Sequence, residues 1–182
     1  MGPGQNNGRK NTKLYKRIIE RLDNAIAICD SSFAVHDGFP YFAFTYFVRP
    51  HNTVLLLPSS VMEDLKKLVL RSVATTAETV GLAKAVCNSL IENDYAEING
   101  LFANSERSVH SQIIKMADFL RTNHRVCILS NSSRMLQSIQ QLRVDHRKQA
   151  KGVSCIRLSN TSNEPMIARW YDPATYATSY VG

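Results

Sequence analysis

Apolar residues recur along this chain in two rhythms. From Thr12 onward, Leu14, Ile18, Ile19 and Leu22 return at helical spacing with Lys and Arg between them, which predicts an amphipathic helix ending near Asn24. A different pattern follows. Ala25 to Asp30 (AIAICD) is a short, continuous apolar run stopped by an acid, as expected of a strand buried on both faces of a parallel sheet. Thr53 to Leu57 repeats this pattern, closed by Pro58, Ser59 and Ser60 before the helical stretch SVMEDLKKLVLRS. Further helices are predicted over 74–92, 108–122 and 134–142, and further strands over 125–130 and 153–158, with a short strand or turn within 97–102. Strands alternating with helices imply an α/β fold, a sandwich with a mainly parallel central sheet.

The ends break the pattern. Residues 1–10 (MGPGQNNGRK) offer almost nothing to bury and read as a flexible tail. Residues 161–182 hold Trp170, Tyr171, Tyr176 and Tyr180 without periodicity and read as a C-terminal extension. Residues 11–160 are then one domain, because no linker splits two apolar blocks and 182 residues suit a single core.

Composition narrows the classes. No apolar run approaches the roughly 18 residues of a membrane span, and the basic start lacks a hydrophobic signal region, so an intracellular, cytoplasmic or nuclear protein with no membrane partner is expected. Cys29, Cys87, Cys127 and Cys155 are far apart and have no zinc-site spacing, which predicts buried reduced thiols. Lys and Arg total 22 against 15 Asp and Glu, a net charge of +7 that favours an anionic partner. The cations cluster at Arg9, Lys10, Lys13, Lys16, Arg17 and Arg21, and again at Arg143, His146, Arg147, Lys148 and Lys151. Either cluster is a solvated face or a surface for nucleic acid, and Arg143, Arg147, Lys148 and Lys151 are the candidate RNA contacts.

Candidate chemistry follows from the fold class. In an open parallel sheet, ligands bind outside the carboxyl ends of the strands. Here those ends read Asp30-Ser31-Ser32, Pro58-Ser59-Ser60 and Ser130-Asn131-Ser132. A carboxylate directly after an apolar strand needs a donor or a cation, so Asp30 is either a metal ligand or the cap of the following turn. Ser31, Ser32, Ser130, Ser132 and Ser133 have no His/Asp partner pattern for a nucleophile and suit turn and capping roles. His36, Asp37 and His110 are alternative ligand or base positions, with surface histidines as the plain reading. Phe39, Tyr41, Phe42, Phe44, Tyr46 and Phe47 are core or partner contacts before they are a stacking platform.

Taken in order, AICDSS, VLLLPSSVMEDLKKL, HSQIIKMADFL and RVCILSNSSRML resemble the PIN-domain family of metal-dependent ribonucleases over roughly Ala25 to Leu158. The resemblance implies a three-layer α/β/α sandwich in which carboxylates at the strand ends hold Mg²⁺ or Mn²⁺ and position a water for attack on a phosphodiester. It assigns Asp30 and Asp64, with Glu63 as a close substitute, to the catalytic acids, and Asp30 and Asp64 to the metal. The chain departs from the family where His110 and Ser111 stand in place of the third acid and Ser132 in place of the fourth.

The resemblance therefore points to a PIN-like RNA-processing protein with a degenerate acidic site, acting by binding RNA or a protein partner. Two alternatives stand beside it. One is an active Mg²⁺- or Mn²⁺-dependent endoribonuclease with a non-standard ligand such as His110 or Asp118. The other is a protein-protein adaptor docking through its aromatic stretch and Tyr-rich end. A homo-oligomer is compatible with all three.

Overall fold

Four short apolar runs and the half-polar segment AEIN become parallel strands: β1 (Ala25–Cys29), β2 (Val54–Pro58), β3 (Ala96–Asn99), β4 (Arg125–Leu129) and β5 (Val153–Leu158). The computed structural model describes residues 5–48, 53–71, 74–106, 108–144, 152–159, 161 and 165–167, and the side chains of residues 5–11, 74, 75, 143 and 144 lie outside that description. An antiparallel strand, β6 (Pro165–Ile167), completes a sheet of order β3-β2-β1-β4-β5-β6. The register sets Ile28 beside Leu56 on one side and Ile128 on the other. β1 is thus the centre of the sheet. Its residues are apolar at every position because both faces are covered.

The helices are α1 (Gln5–Leu22), α2 (Ser31–Ala34), α3 (Phe39–Tyr46), α4 (Ser59–Arg71), α5 (Ala74–Glu92), α6 (Val109–Leu120) and α7 (Ser133–Val144). From β1 to β3 the chain steps toward one edge, and from β4 to β5 toward the other. Right-handed crossovers then put α2–α5 on one face and α6 and α7 on the opposite face, the three-layer α/β/α arrangement expected. Tyr15 of α1 stacks on Tyr46 of α3 with ring centroids 5.5 Å apart, so α1 joins the first layer beside α3. No helix among the described residues is long and apolar enough to cross a membrane.

Three features differ from the sequence-based expectation. The first concerns the tail over 1–10, since α1 begins at Gln5. Polar residues add helical hydrogen bonds at little cost once Ile18 and Leu22 anchor the helix to the core. Second, the sheet passes the expected boundary at residue 160, because β6 pairs Ile167 with Ile156. Three residues carry no periodicity, and Pro165 stands at the first position of an edge strand, where proline is tolerated. Third, the aromatic stretch after β1 is the helix α3. Phe39, Phe42, Ala43 and Tyr46 are buried at i, i+3, i+4 and i+7, with Thr45 beside them, a rhythm hidden by Tyr41 and Phe44 on the other face.

Phe33 of α2 is the hub of that layer, edge-on to Phe39 at 6.1 Å and to Phe42 at 5.1 Å. This packing leaves no free thiol surface, and all four cysteines are buried. Burial pushes the Cys87 thiol up to about 12 and the Cys127 thiol up to about 11. Burial also raises Cys29 and Cys155 well above the ordinary range. Thiolate chemistry requires the deprotonated form. The folded protein is therefore expected to resist Ellman's reagent at pH 8 and to release all four thiols only on unfolding; a fast-reacting thiol in the native state contradicts this packing.

Candidate functional site at the carboxyl ends of β1 and β4

Strand order locates the crevice. β1 hands the chain to β2 on one side, while β4 lies on its other side and is reached only after β3 through α6. The point between β1 and β4 is where the winding direction reverses, and the ends of those strands cannot be covered by their own connections. Asp30 and Ser130 are the residues that follow the two strands. Asp30 donates its backbone N–H to the Leu129 carbonyl at 2.9 Å, and Ser130 donates to Ile156 at 3.1 Å. The sheet's ladder therefore carries both residues rigidly into the crevice.

The Asp30 side chain is 6% exposed and Ser130 is fully buried. Both the Ser32 and the Ser130 hydroxyls donate to Asp30 Oδ2, each at 2.6 Å, the short length typical of hydrogen bonds to an ionised acceptor. Ser31 reaches Oδ1 at 3.5 Å. A hydroxyl has one proton, so Ser32 and Ser130, whose oxygens lie 3.3 Å apart, have none left for each other. They act as acceptors instead. The Asn131 N–H donates to Ser32 Oγ and the Ser132 N–H to Ser130 Oγ, both at 3.1 Å.

The result is a clamp joining the β1–α2 and β4–α7 loops through one carboxylate. The turn-capping alternative for Asp30 is not realised. Its side chain makes no cap bond to a backbone N–H, although its carbonyl accepts from Phe33 and Ala34. Ser132 takes the capping role for α7, accepting from the Met135 N–H at 3.3 Å. Asn131 ties the same loop to β5 by accepting from the Leu158 N–H at 2.9 Å through Oδ1.

The third family position divides between two neighbours on α6. Ser111 turns back to the N-cap, lying 2.8 Å from Ser108 Oγ and donating to the Ser108 carbonyl. His110 turns to α7, its Nε2 2.9 Å from Ser138 Oγ. Partial burial holds the His110 imidazole below its ordinary value of 6.5; the Arg134 charge acts in the same direction and Asp30 opposes them. His110 is thus within electrostatic reach of Asp30 and Arg134, and its neutral form is favoured. Arg134 and Ser138 had no signal in the sequence, because neither stands at a recognisable spacing from His110.

Among the remaining candidates, Asp118 and His36 are engaged elsewhere. Asp64 is half-buried on α4 and Glu63 is exposed. No hydrogen bond or ion pair among the described residues links either acid to Asp30. Ser60, one turn before Asp64, donates to the buried Gln112 of α6, which donates in turn to the Leu101 carbonyl at 2.8 Å. Asp118 pairs with Arg121 at 2.7 Å, and Arg121 also donates to the Leu142 carbonyl, so this acid closes the far end of α6 against α7. His36 Nδ1 accepts from the Gly38 N–H, and Asp37 is exposed. The Arg143 side chain, with Arg147, Lys148 and Lys151, lies outside the described residues.

Divalent hard cations take several oxygen lone pairs, with charge supplied by carboxylates. This crevice presents one carboxylate whose Oδ2 already faces two hydroxyl protons, and among the described residues no group of three or more His, Cys, Asp or Glu is placed to hold an ion. The donor set does not fit a Mg²⁺ or Mn²⁺ centre of the family's kind. No protein-family model, curated protein or solved structure matches the chain.

Two outcomes are expected of the clamp. Ser130→Ala leaves a buried carboxylate short of one donor and is expected to cost about 1.5–3 kcal/mol. Combined with Asp30→Ala it is expected to cost less than the sum of the two single changes, a coupling read in denaturant unfolding of all four proteins. Additive costs contradict the clamp. For His110, the unfolded chain takes up a proton near pH 6.5 before the folded one does. Stability present above that pH is therefore lost as pH falls through the lower folded value. His110→Gln is expected to flatten that loss in unfolding curves between pH 7 and 5.

Proposed function

We propose that this chain is a PIN-like RNA-processing protein whose metal-dependent nuclease centre is degraded, and that it acts by binding RNA. The observation that carries the reading is the Ser32–Asp30–Ser130 clamp. It stands at the switch point, where the resemblance implies a cluster of acids. There the charge of Asp30 is met by hydroxyl protons from its own chain, and the position of the fourth acid, Ser132, caps α7. His110, at the position of the third, is favoured in its neutral form and hydrogen-bonded to α7.

Phosphodiester hydrolysis of this class depends on an ion that activates water and offsets charge on the transition state. Without that ion, the crevice retains hydroxyls, an imidazole and, within electrostatic reach of it, the Arg134 guanidinium, groups suited to binding phosphate and ribose. The +7 balance supports an anionic partner.

Single-stranded RNA incubated with the protein and Mn²⁺ or Mg²⁺ is expected to be retained at low salt and left uncut. Chelator-sensitive cleavage that disappears in Asp30→Asn overturns the reading in favour of an active endoribonuclease. A stable protein complex with no RNA retention favours the adaptor. Introducing acids at both degenerate positions, His110→Asp with Ser132→Asp, is expected to create a Mn²⁺-dependent rise in thermal midpoint absent from the unmodified chain.

A further inference from the structure

We propose that the outward faces of α1 and α3 form a surface for single-stranded RNA, with phosphates on Lys13, Lys16, Arg17 and Arg21 and unpaired bases stacked on Tyr41 and Phe44. The proposal rests on the RNA-binding reading above and names the surface that does the binding.

The cations come first. Lys13, Lys16, Arg17, Glu20 and Arg21 are the exposed positions of one side of α1, while Ile18 and Leu22 face the core. From Lys13 to Arg21 the helix rises about 12 Å, a row that faces about three or four phosphates of one nucleic-acid strand. Among the described residues the ion pairs are Lys115–Glu106 and Arg121–Asp118, and none of the four cations of α1 pairs with an acid there. Even Glu20, one turn from Lys16, makes no such pair.

The rings come second. Tyr41 is 72% exposed and Phe44 61%, the two solvent-facing positions of a helix whose other aromatics are core. Tyr15 of α1 stacks on Tyr46 of α3, and Tyr41 is close enough to Tyr46 to act on it electrostatically. A cationic row and exposed rings on two touching helices make the combination that single strands use. The backbone follows the charge, and each base offers a π-face.

The same observations favour RNA over a lipid surface. An amphipathic helix binds membranes by burying its apolar stripe in the interface, and the stripe of α1 is already buried in the protein core. A duplex fits less well because its bases are paired and stacked internally.

The test uses the full chain and a fluorescein-labelled 12-nucleotide oligo(U), read by anisotropy across a salt series. Replacing the four cations (K13Q, K16Q, R17Q and R21Q together) is expected to reduce the slope of log K against log salt by about 3, from about 0.7 per phosphate contact. Tyr41→Ala and Phe44→Ala are each expected to weaken binding about tenfold with the slope unchanged, and Tyr41→Trp and Phe44→Trp to restore it. The duplex with oligo(A) is expected to bind more weakly than the single strand. Thermal midpoints within error of the unmodified chain establish that the surface variants fold.

RNA bound with an unchanged slope and neutral ring substitutions overturns this surface and leaves the RNA-binding reading intact. No RNA retained by the unmodified chain overturns that reading, and this proposal with it. Capture on phosphatidylserine vesicles in place of RNA, dependent on the same four cations, also overturns it.

Discussion

A carboxylate at the centre of a parallel sheet's carboxyl edge is the constraint around which the rest of this crevice is arranged. The ladder holds Asp30 in position, because its backbone continues the pairing of β1 with β4. Leaving the charge unpaired there is costly, and three chemistries relieve it: a bound cation, a basic side chain, or hydroxyl and amide donors. This chain uses the third. Ser32 and Ser130 each give their only proton to the same oxygen and accept a backbone N–H in return, so four polar groups are satisfied together.

That solution has a structural consequence and a chemical one. Structurally, the clamp fastens the β1–α2 loop to the β4–α7 loop where the winding direction reverses, a place the crossover helices leave open. Chemically, donors pointed at a carboxylate are the reverse of what a divalent ion needs, which is lone pairs pointed inward. His110 adds to this. Burial and the Arg134 charge both disfavour its protonated form, so it does not act as a fixed cation beside Asp30.

Away from the crevice, two helices sort their side chains sharply between core and solvent. α1 divides its surface cleanly, with Ile18 and Leu22 in the core and Lys13, Lys16, Arg17 and Arg21 in solvent. α3 makes a similar division among aromatics. Phe39 and Phe42 pack around Phe33, while Tyr41 and Phe44 face outward. One helix orders cations and its neighbour orders rings, held together by the stacking of Tyr15 on Tyr46.

How much of this was legible in the residues depends on the range of the interaction involved. Strands β1, β2, β4 and β5, helices α1 and α4 to α7, and the place of Asp30 at a strand end follow from local periodicity, because burial on both faces demands an unbroken apolar run. Helix α3 was hidden by the density of rings in FPYFAFTY, and β6 by its brevity. The fate of Asp30 was not local at all. Its decisive partner, Ser130, is 100 residues away, and only strand order brings the two together. Periodicity along the chain thus determines which segments become strands and helices, since it records burial face by face. Whether the tips of those segments hold an ion, cap a helix or clamp one another is decided by which tips the folded sheet sets within hydrogen-bond distance.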